Sequence, residues 1–245
     1  MAHVREHTDL NLDSPMLVEG LPGVGIVGKI ATDHLVENFE MEYYASCHCD
    51  GLPRTAVYEE GDRSIRPPVR IYADEQRDLL ALQSDVPVSP ESAPEFASCV
   101  TGWLADNDVL PIYLSGLPQE KADPPKMYGV GVGAAQDRLA DHDIDAPSES
   151  GMISGPTGAL LAEAGEQELA AIGIVVQANP QFPDPEAART VLVNAIEPLL
   201  SVDIDTDKLV DQAEEIAEAR EKLAQRMQEA TQQESSQAKP LGMYQ

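Results

Sequence analysis

Apolar residues along the chain gather into short runs separated by polar or glycine-rich breaks. Met16-Leu17-Val18-Glu19-Gly20 reads as a first strand, and Leu21-Pro22-Gly23-Val24-Gly25-Ile26-Val27-Gly28 follows as a glycine loop. The loop leads into a helix of about ten residues, with Ile26, Ile30, Leu35 and Val36 available for its buried face. Met41 to Cys47 reads as a second strand. The βα rhythm then breaks. Thr55–Tyr58, Val69–Tyr72 and Leu79–Leu82 are apolar runs joined by the polar turns Glu60-Gly61-Asp62 and Asp74-Glu75-Gln76. Strands joined so briefly are antiparallel neighbours, so a mixed sheet is expected rather than a purely parallel one.

Ser89-Pro90-Glu91 opens a helix, with serine at the cap, proline in the first turn and an acid near the positive end of the dipole; Phe96, Val100, Trp103 and Leu104 are its apolar side. Val109–Leu114 reads as a buried strand, and Gly116–Gly133 as a Pro/Gly-rich connection. A short helix over 134–141, a loop over 150–155, a helix from Thr157, a strand from Ala171 to Val176 and a helix from Pro185 to about Leu200 complete this part. Beyond Val202 the composition shifts. Residues 207–230 lack Gly and Pro, and Leu209, Ile216 and Leu223 recur every seven, with Ala213, Arg220 and Met227 between them. That is a long helix with a narrow seam, suited to packing on a partner helix or on its own domain. Thr231–Ala238 is polar and reads as a flexible linker. The expected division is a lead-in over 1–13, an α/β domain over 14–204, a C-terminal helix over 205–230 and a flexible tail over 231–245.

Charge changes the picture of the partners. The net charge is −27, from 43 acidic residues against 16 Lys and Arg. Such a surface repels phosphate backbones and anionic membranes, which argues against nucleic acid and membrane partners. Most of the carboxylates read as a solvated surface. Their excess, with few lysines and large aromatics, fits a protein working in high salt, where a Debye length of about 3 Å at 1 M screens self-repulsion. The hydrophobic fraction of 42% is too high for disorder over most of the chain. No run reaches the roughly 18–20 apolar residues of a membrane span, the first residues lack a signal peptide's pattern, and Cys47, Cys49 and Cys99 form no secreted disulfide framework. A cytoplasmic location is expected.

Several motifs suggest chemistry. Gly23-x-Gly25-x-x-Gly28 has the spelling of a dinucleotide fingerprint, follows a strand and opens a helix; Asp50 lies where a ribose-binding acid would sit. The plainer reading is a tight strand-to-helix turn without a ligand. Cys47-His48-Cys49 looks metallic, but a metal needs three or four ligands, and Cys99 and His142 stand alone; in a strand, 47 and 49 would face one side and His48 the other. His3 and His7 share an i, i+4 spacing in a segment without helix signals. Ser154 lacks the flanking pattern of a nucleophile elbow. The ending Met243-Tyr244-Gln245 joins an apolar side chain, a tyrosine and a free carboxylate, which can respectively fill a pocket, add rigid area and pair with a lysine.

Three stretches in order carry a resemblance: Val18-Glu19-Gly20-Leu21-Pro22-Gly23-Val24-Gly25-Ile26-Val27-Gly28-Lys29, then Ile153-Ser154-Gly155-Pro156-Thr157-Gly158-Ala159-Leu160-Leu161, then Gln177-Ala178-Asn179-Pro180 leading to Pro183-Asp184-Pro185-Glu186-Ala187-Ala188. Over about residues 14–201 the chain resembles the proteasome assembly chaperone family. The resemblance implies a phosphorylase/hydrolase-like α/β fold with a mixed sheet, no established catalysis, no cofactor and a glycine loop that is architecture. It also implies docking on 20S proteasome α-subunits: Met243 would enter the pocket between adjacent α-subunits, Tyr244 would order its rim and the Gln245 carboxylate would meet a lysine. Three residues bind weakly alone, so a homo-oligomer presenting several tails is expected. The competing reading is a nucleotide- or nucleoside-binding enzyme that uses the Gly23–Gly28 loop.

Overall fold

A computed structural model of the chain describes residues 3–58, 60–119 and 122–216. One mixed sheet of eight strands runs through the molecule. In chain order the strands are β1 (His3–Glu6), β2 (Met16–Gly20), β3 (Glu42–His48), β4 (Val69–Asp74), β5 (Leu79–Ser84), β6 (Leu110–Pro118), β7 (Met127–Val132) and β8 (Ala171–Ala178). Across the sheet the order is β1-β3-β4-β5-β2-β6-β8-β7. The central four, β5, β2, β6 and β8, are mutually parallel; β1, β3 and β4 on one side and β7 on the other pair antiparallel with their neighbours.

The central strands are apolar on both faces because helices cover both. Along β2, Leu17 points to one layer and Val18 to the other, as a period of two requires. One layer holds α1 (Val27–Asn38), α3 (Ala135–Asp141), α5 (Pro185–Val191) and α6 (Glu197–Leu200), the last two joined through a π turn at Leu192–Ile196. The opposite layer holds α2 (Ala93–Asp106) and α4 (Gly155–Glu166). On α2, Phe96, Val100 and Leu104 recur at helical spacing and are fully buried, worth about 1.5–3 kcal/mol each. A seventh helix, α7, begins at residue 207; Leu209 at its start is 2% exposed and packs on the α1 layer.

The mixed sheet and its antiparallel flank match the expectation, and the layout differs from it in five places. The segment read as a lead-in contains β1, which pairs His3 with His48 and Glu6 with Ala45 at the sheet edge. Thr55–Tyr58 is no strand; only a single bridge joins Val57 to Arg66, within a 20-residue connection between β3 and β4. The helix expected at Ser89 begins one turn later, with Ser92 at its N-cap position but without a side-chain capping bond, because Ser89 and its neighbours form a separate turn. The Pro/Gly-rich stretch hides β7, whose Gly129 and Gly131 allow Leu139 and Gln136 of α3 to approach closely. Cys99 is not isolated: it is disulfide-bonded to Cys49, with 6.1 Å between their Cα atoms. Of the expected long helix, 207–216 lie within the described residues and are helical, while Leu223 and the rest of the expected seam lie outside them.

Candidate functional site

The three resembling motifs, far apart in sequence, meet at the C-terminal ends of the parallel strands. Glu19 is the hub. It sits near the end of β2 with no exposed surface. One carboxylate oxygen accepts from the Leu21 N–H at 2.9 Å and the Thr157 hydroxyl at 3.3 Å, and the other accepts from the Leu114 N–H at 3.1 Å. Leu114 belongs to β6 and Thr157 to the first turn of α4, so one side chain ties the glycine loop, the neighbouring strand and the second motif together. Burial raises its pKa to about 7, against the opposing influence of its three donors. A carboxylate with both oxygens engaged inside the fold has no free face to offer a substrate.

The third motif meets the first through Asp184. One of its oxygens caps α5 by accepting from Ala187 N–H at 3.1 Å, and the other accepts from Asn179 N–H at 2.8 Å. Its own N–H donates to the Gly25 carbonyl at 2.9 Å. Gly25 has φ of +63°, and a Cβ there would meet Ala178, Asn179 and Asp184 at 3.1–3.2 Å. The neighbouring Val24 carbonyl presses on Gly116 so closely that a Cβ at Gly116 would lie 2.4 Å from it. Beside β2 and β6, where an open α/β sheet would hold a nucleotide, the glycine loop packs directly on Gly116 of β6 and on the end of β8 at Ala178. Asp50 is also misplaced for a ribose. The second strand in sequence, β3, lies three strands from β2, about 14 Å at the usual strand spacing. Asp50 instead lines a cavity with Cys99 and Trp103 on the α2 side.

A cavity of about 760 Å³ borders the second and third motifs. Ile153, Gly158 and Leu161 line it from the α4 side, Val175 and Gln177 from β8, and Tyr128 from β7. Gln177 takes the Ala122 and Lys126 N–H groups on its amide oxygen, both at 3.1 Å, and so fixes the connection ahead of β7.

The remaining sequence candidates separate. Cys47 points into the α2 layer, where burial pushes its thiol up to about 12, and His48 faces the opposite side, stacked on His3 at 5.2 Å. His7 lies just beyond β1 and meets the Ser46 hydroxyl at 2.9 Å; with β1 extended, the i, i+4 spacing of His3 and His7 places them on no common helix. No group of three or more His, Cys, Asp or Glu suited to a metal occurs among the described residues. Ser154 stands at the α4 N-cap position. Met243, Tyr244 and Gln245 lie outside the described residues. Sequence reading gave no role to Glu19, Thr157 or Asp184. The available signal for Glu19 was a lone acid inside a five-residue apolar strand.

Comparison with known proteins agrees with this geometry. The chain is similar to the uncharacterized protein MJ0106 of Methanocaldococcus jannaschii, 25% identical over 224 residues that make up 90% of each chain. Its fold is similar to that of Pyrococcus furiosus PbaA, described as an archaeal homolog of proteasome-assembly chaperone: 25% identity, 93% of this chain and 99% of that one, TM-score 0.77. It is also similar to P. furiosus PbaB, described as an archaeal proteasome activator: 20% identity, 91% of this chain and 98% of that one, TM-score 0.75. The PAC2 family model matches residues 17–224, a span that contains Glu19, Thr157 and Asp184 and hence the whole motif junction, and the chain belongs to the PAC2 family.

Proposed function

We propose that this chain is a proteasome assembly chaperone-like or activator-like protein that docks on the α-ring of the 20S proteasome through Met243-Tyr244-Gln245. The observation that carries the reading is likeness over more than nine-tenths of the chain to PbaA and PbaB, whose descriptions tie them to proteasome assembly and activation. The packing of the glycine loop supports a binding role over the nucleotide-enzyme reading, because the contacts of Gly25 with Ala178 and Asp184 and of the Val24 carbonyl with Gly116 account for these glycines without a ligand. The tail contributes an apolar group, a phenol and a carboxylate, and several tails on one homo-oligomer act together through effective concentration. Leu209, held in the core, anchors the helix from which the tail extends in sequence. The protein is expected to act in the cytoplasm at high salt.

The test is capture of purified 20S α-ring by the intact chain, by a chain lacking 243–245 and by Tyr244→Ala, all at the same salt. Loss of capture in both variants is the expected result. Equal capture by all three would refute the tail's role, and a monomer by light scattering would remove the avidity argument.

A further inference from the structure

Among the described residues four large hydrophobic side chains stand out in solvent: Tyr58, Ile65, Met152 and Val210. The first three gather at two places on opposite flanks of the sheet. A surface that is otherwise strongly acidic has no solvation reason to present apolar groups there, and such groups mark contact sites.

The first place is the connection between β3 and β4. Val57 and Arg66 exchange both backbone N–H···O bonds at 2.9 Å, which closes 57–66 into a short hairpin. Its inner side is fixed to the sheet, because Arg66 donates to the Tyr72 hydroxyl at 2.8 Å. The antiparallel register sets Tyr58 opposite Ile65, one position nearer the tip and on the outer face. These two side chains are 82% and 73% exposed, so the pair does little for its own fold. The hairpin also escapes the acidic excess of the chain: Arg54, Arg63 and Arg66 balance Glu59, Glu60 and Asp62 over 53–66.

The second place is the cavity of about 760 Å³ beside β7 and β8. Leu160 and Ala164 of α4 are fully buried in this layer, whereas Leu117, Tyr128, Val130 and Val175 on the strand face that lines the cavity stay half-buried. Met152 belongs to the same lining and is 88% exposed. The rim is acidic. Glu149 lines it, and Asp141, Asp143 and Asp145 are exposed on a connection tied to β7 by the Gly129 N–H, which donates to the Asp145 carbonyl at 2.8 Å.

Both places lie at the C-terminal ends of the parallel strands. The hairpin re-enters the sheet at Val69, which pairs with Ser84 at the end of β5, and Leu117 pairs with Gln177 near the ends of β6 and β8. β3 and β7 stand six positions apart across the sheet, about 29 Å at the usual strand spacing, so a hairpin held at Tyr72 lies far from the cavity of its own chain.

We propose that the 57–66 hairpin of one copy docks in the β7–β8 cavity of a second copy, with Tyr58 and Ile65 seated against its apolar lining and Arg54 and Arg63 facing its acidic rim. The two surfaces complement each other in polarity and in charge, and the hairpin is a neutral stretch that a second acidic body does not repel. The cavity's volume lies in the range that holds an organic group of this size, and a tyrosine is a common anchor at protein contacts. The surfaces are unlike, so the contact is head-to-tail: each pairing leaves one hairpin and one cavity open, and addition continues until a ring closes. This contact deepens the homo-oligomer reading given above and rests on that part of it alone.

Sedimentation of the full chain over a range of concentrations, at a salt level that keeps it folded, tests the contact. One variant, Tyr58→Ser with Ile65→Ser, removes the hairpin's apolar pair. The other, Met152→Arg, puts a cation in the cavity against the hairpin's arginines. All three positions are exposed, so both variants should keep the wild-type circular dichroism. Each should weaken self-association at least about tenfold. An equimolar mixture of the two variants should form a dimer and nothing larger, because a single intact hairpin then meets a single intact cavity. The proposal is overturned if wild type stays monomeric, if either variant associates as wild type does, or if the mixture does not pair. No proteasome enters the measurement, so its failure and the failure of tail docking are read separately.

Discussion

Glu19 and Thr157 stand 138 residues apart in the chain, and their side chains meet at 3.3 Å inside the fold. The hydroxyl donates to a carboxylate that burial has pushed up to about 7. That burial, which the Thr157 hydroxyl only partly offsets, makes stability depend on pH in a definite direction. Between the ordinary glutamate range and about 7 the folded protein keeps a proton on Glu19 that the unfolded chain has released. Stability from this group is therefore greatest at the acid end of the window, falls as pH rises through it and levels off above. The full change is on the order of 3 kcal/mol. Urea unfolding of wild type and Glu19→Gln at several pH values isolates it: the wild-type advantage over the variant should shrink by that order from pH 4.5 to 8. Thr157→Val, which removes a donor to the charged form, should extend the sloping region to higher pH. Parallel curves for wild type and Glu19→Gln would show that the carboxylate does not titrate in this window.

Gly25 and Gly23 distinguish packing from ligand binding. Gly25 has a positive φ and no space for a Cβ, whereas Gly23 has φ of −143° and nothing within 4 Å of the added carbon. Gly25→Ala should cost about 2 kcal/mol or more, and Gly23→Ala should fall within about 0.5 kcal/mol of wild type, by chemical denaturation. A phosphate cradle would need both glycines; a turn packed on Ala178 and Asp184 needs only the second.

Among the described residues, two buried side-chain hydroxyls, those of Thr101 on α2 and Tyr113 on β6, form no well-oriented hydrogen bond, although they lie close to one another. Both side chains are fully buried. Replacing both by apolar isosteres removes two desolvated groups and leaves the packing intact. The double variant Thr101→Val with Tyr113→Phe should melt higher, with a gain of about 1 kcal/mol. A lower melting temperature would mean that the hydroxyls serve one another.

A net charge of −27 on 245 residues should make folding depend on salt. The Debye length falls from about 30 Å at 0.01 M to about 3 Å at 1 M, so repulsion that spans the molecule in dilute buffer becomes local. The melting temperature should rise on the order of 10 °C over that range, and sodium and potassium chloride should give the same curve. A flat profile would show that the acidic surface is tolerated without screening.

What the sequence revealed of the fold follows how each element is encoded. The central strands and the helices α1, α2 and α5 announce themselves because a parallel core needs unbroken apolar runs and an amphipathic helix needs its stripe. β7 does not, since Met-Tyr-Gly-Val-Gly-Val spends two of six positions on glycines that α3 requires for close approach. β1 is hidden because an edge strand made of His3, Val4, Arg5 and Glu6 has little apolar pattern to show. The Cys49–Cys99 bond joins residues 50 apart, and no local pattern reports such a pair. The motif junction was legible as three stretches of resemblance. Its hub was not, because the stabilisation of a buried acid depends on donors from Leu114 and Thr157 that only the tertiary fold brings to it.

The placement of β2 at the middle of the sheet has a consequence for synthesis. A ribosome delivers Glu19 early, but its partners on β6 and α4 are not made until residues 114 and 157 have emerged. The other parallel neighbour of β2, β5, comes only after the β3–β4 excursion. An amino-terminal half emerging during translation therefore lacks the partners of its own central strand. A nascent chain that ends before α4 has no Thr157 to meet the central acid, so truncation there should expose Glu19 to water at the middle of the sheet.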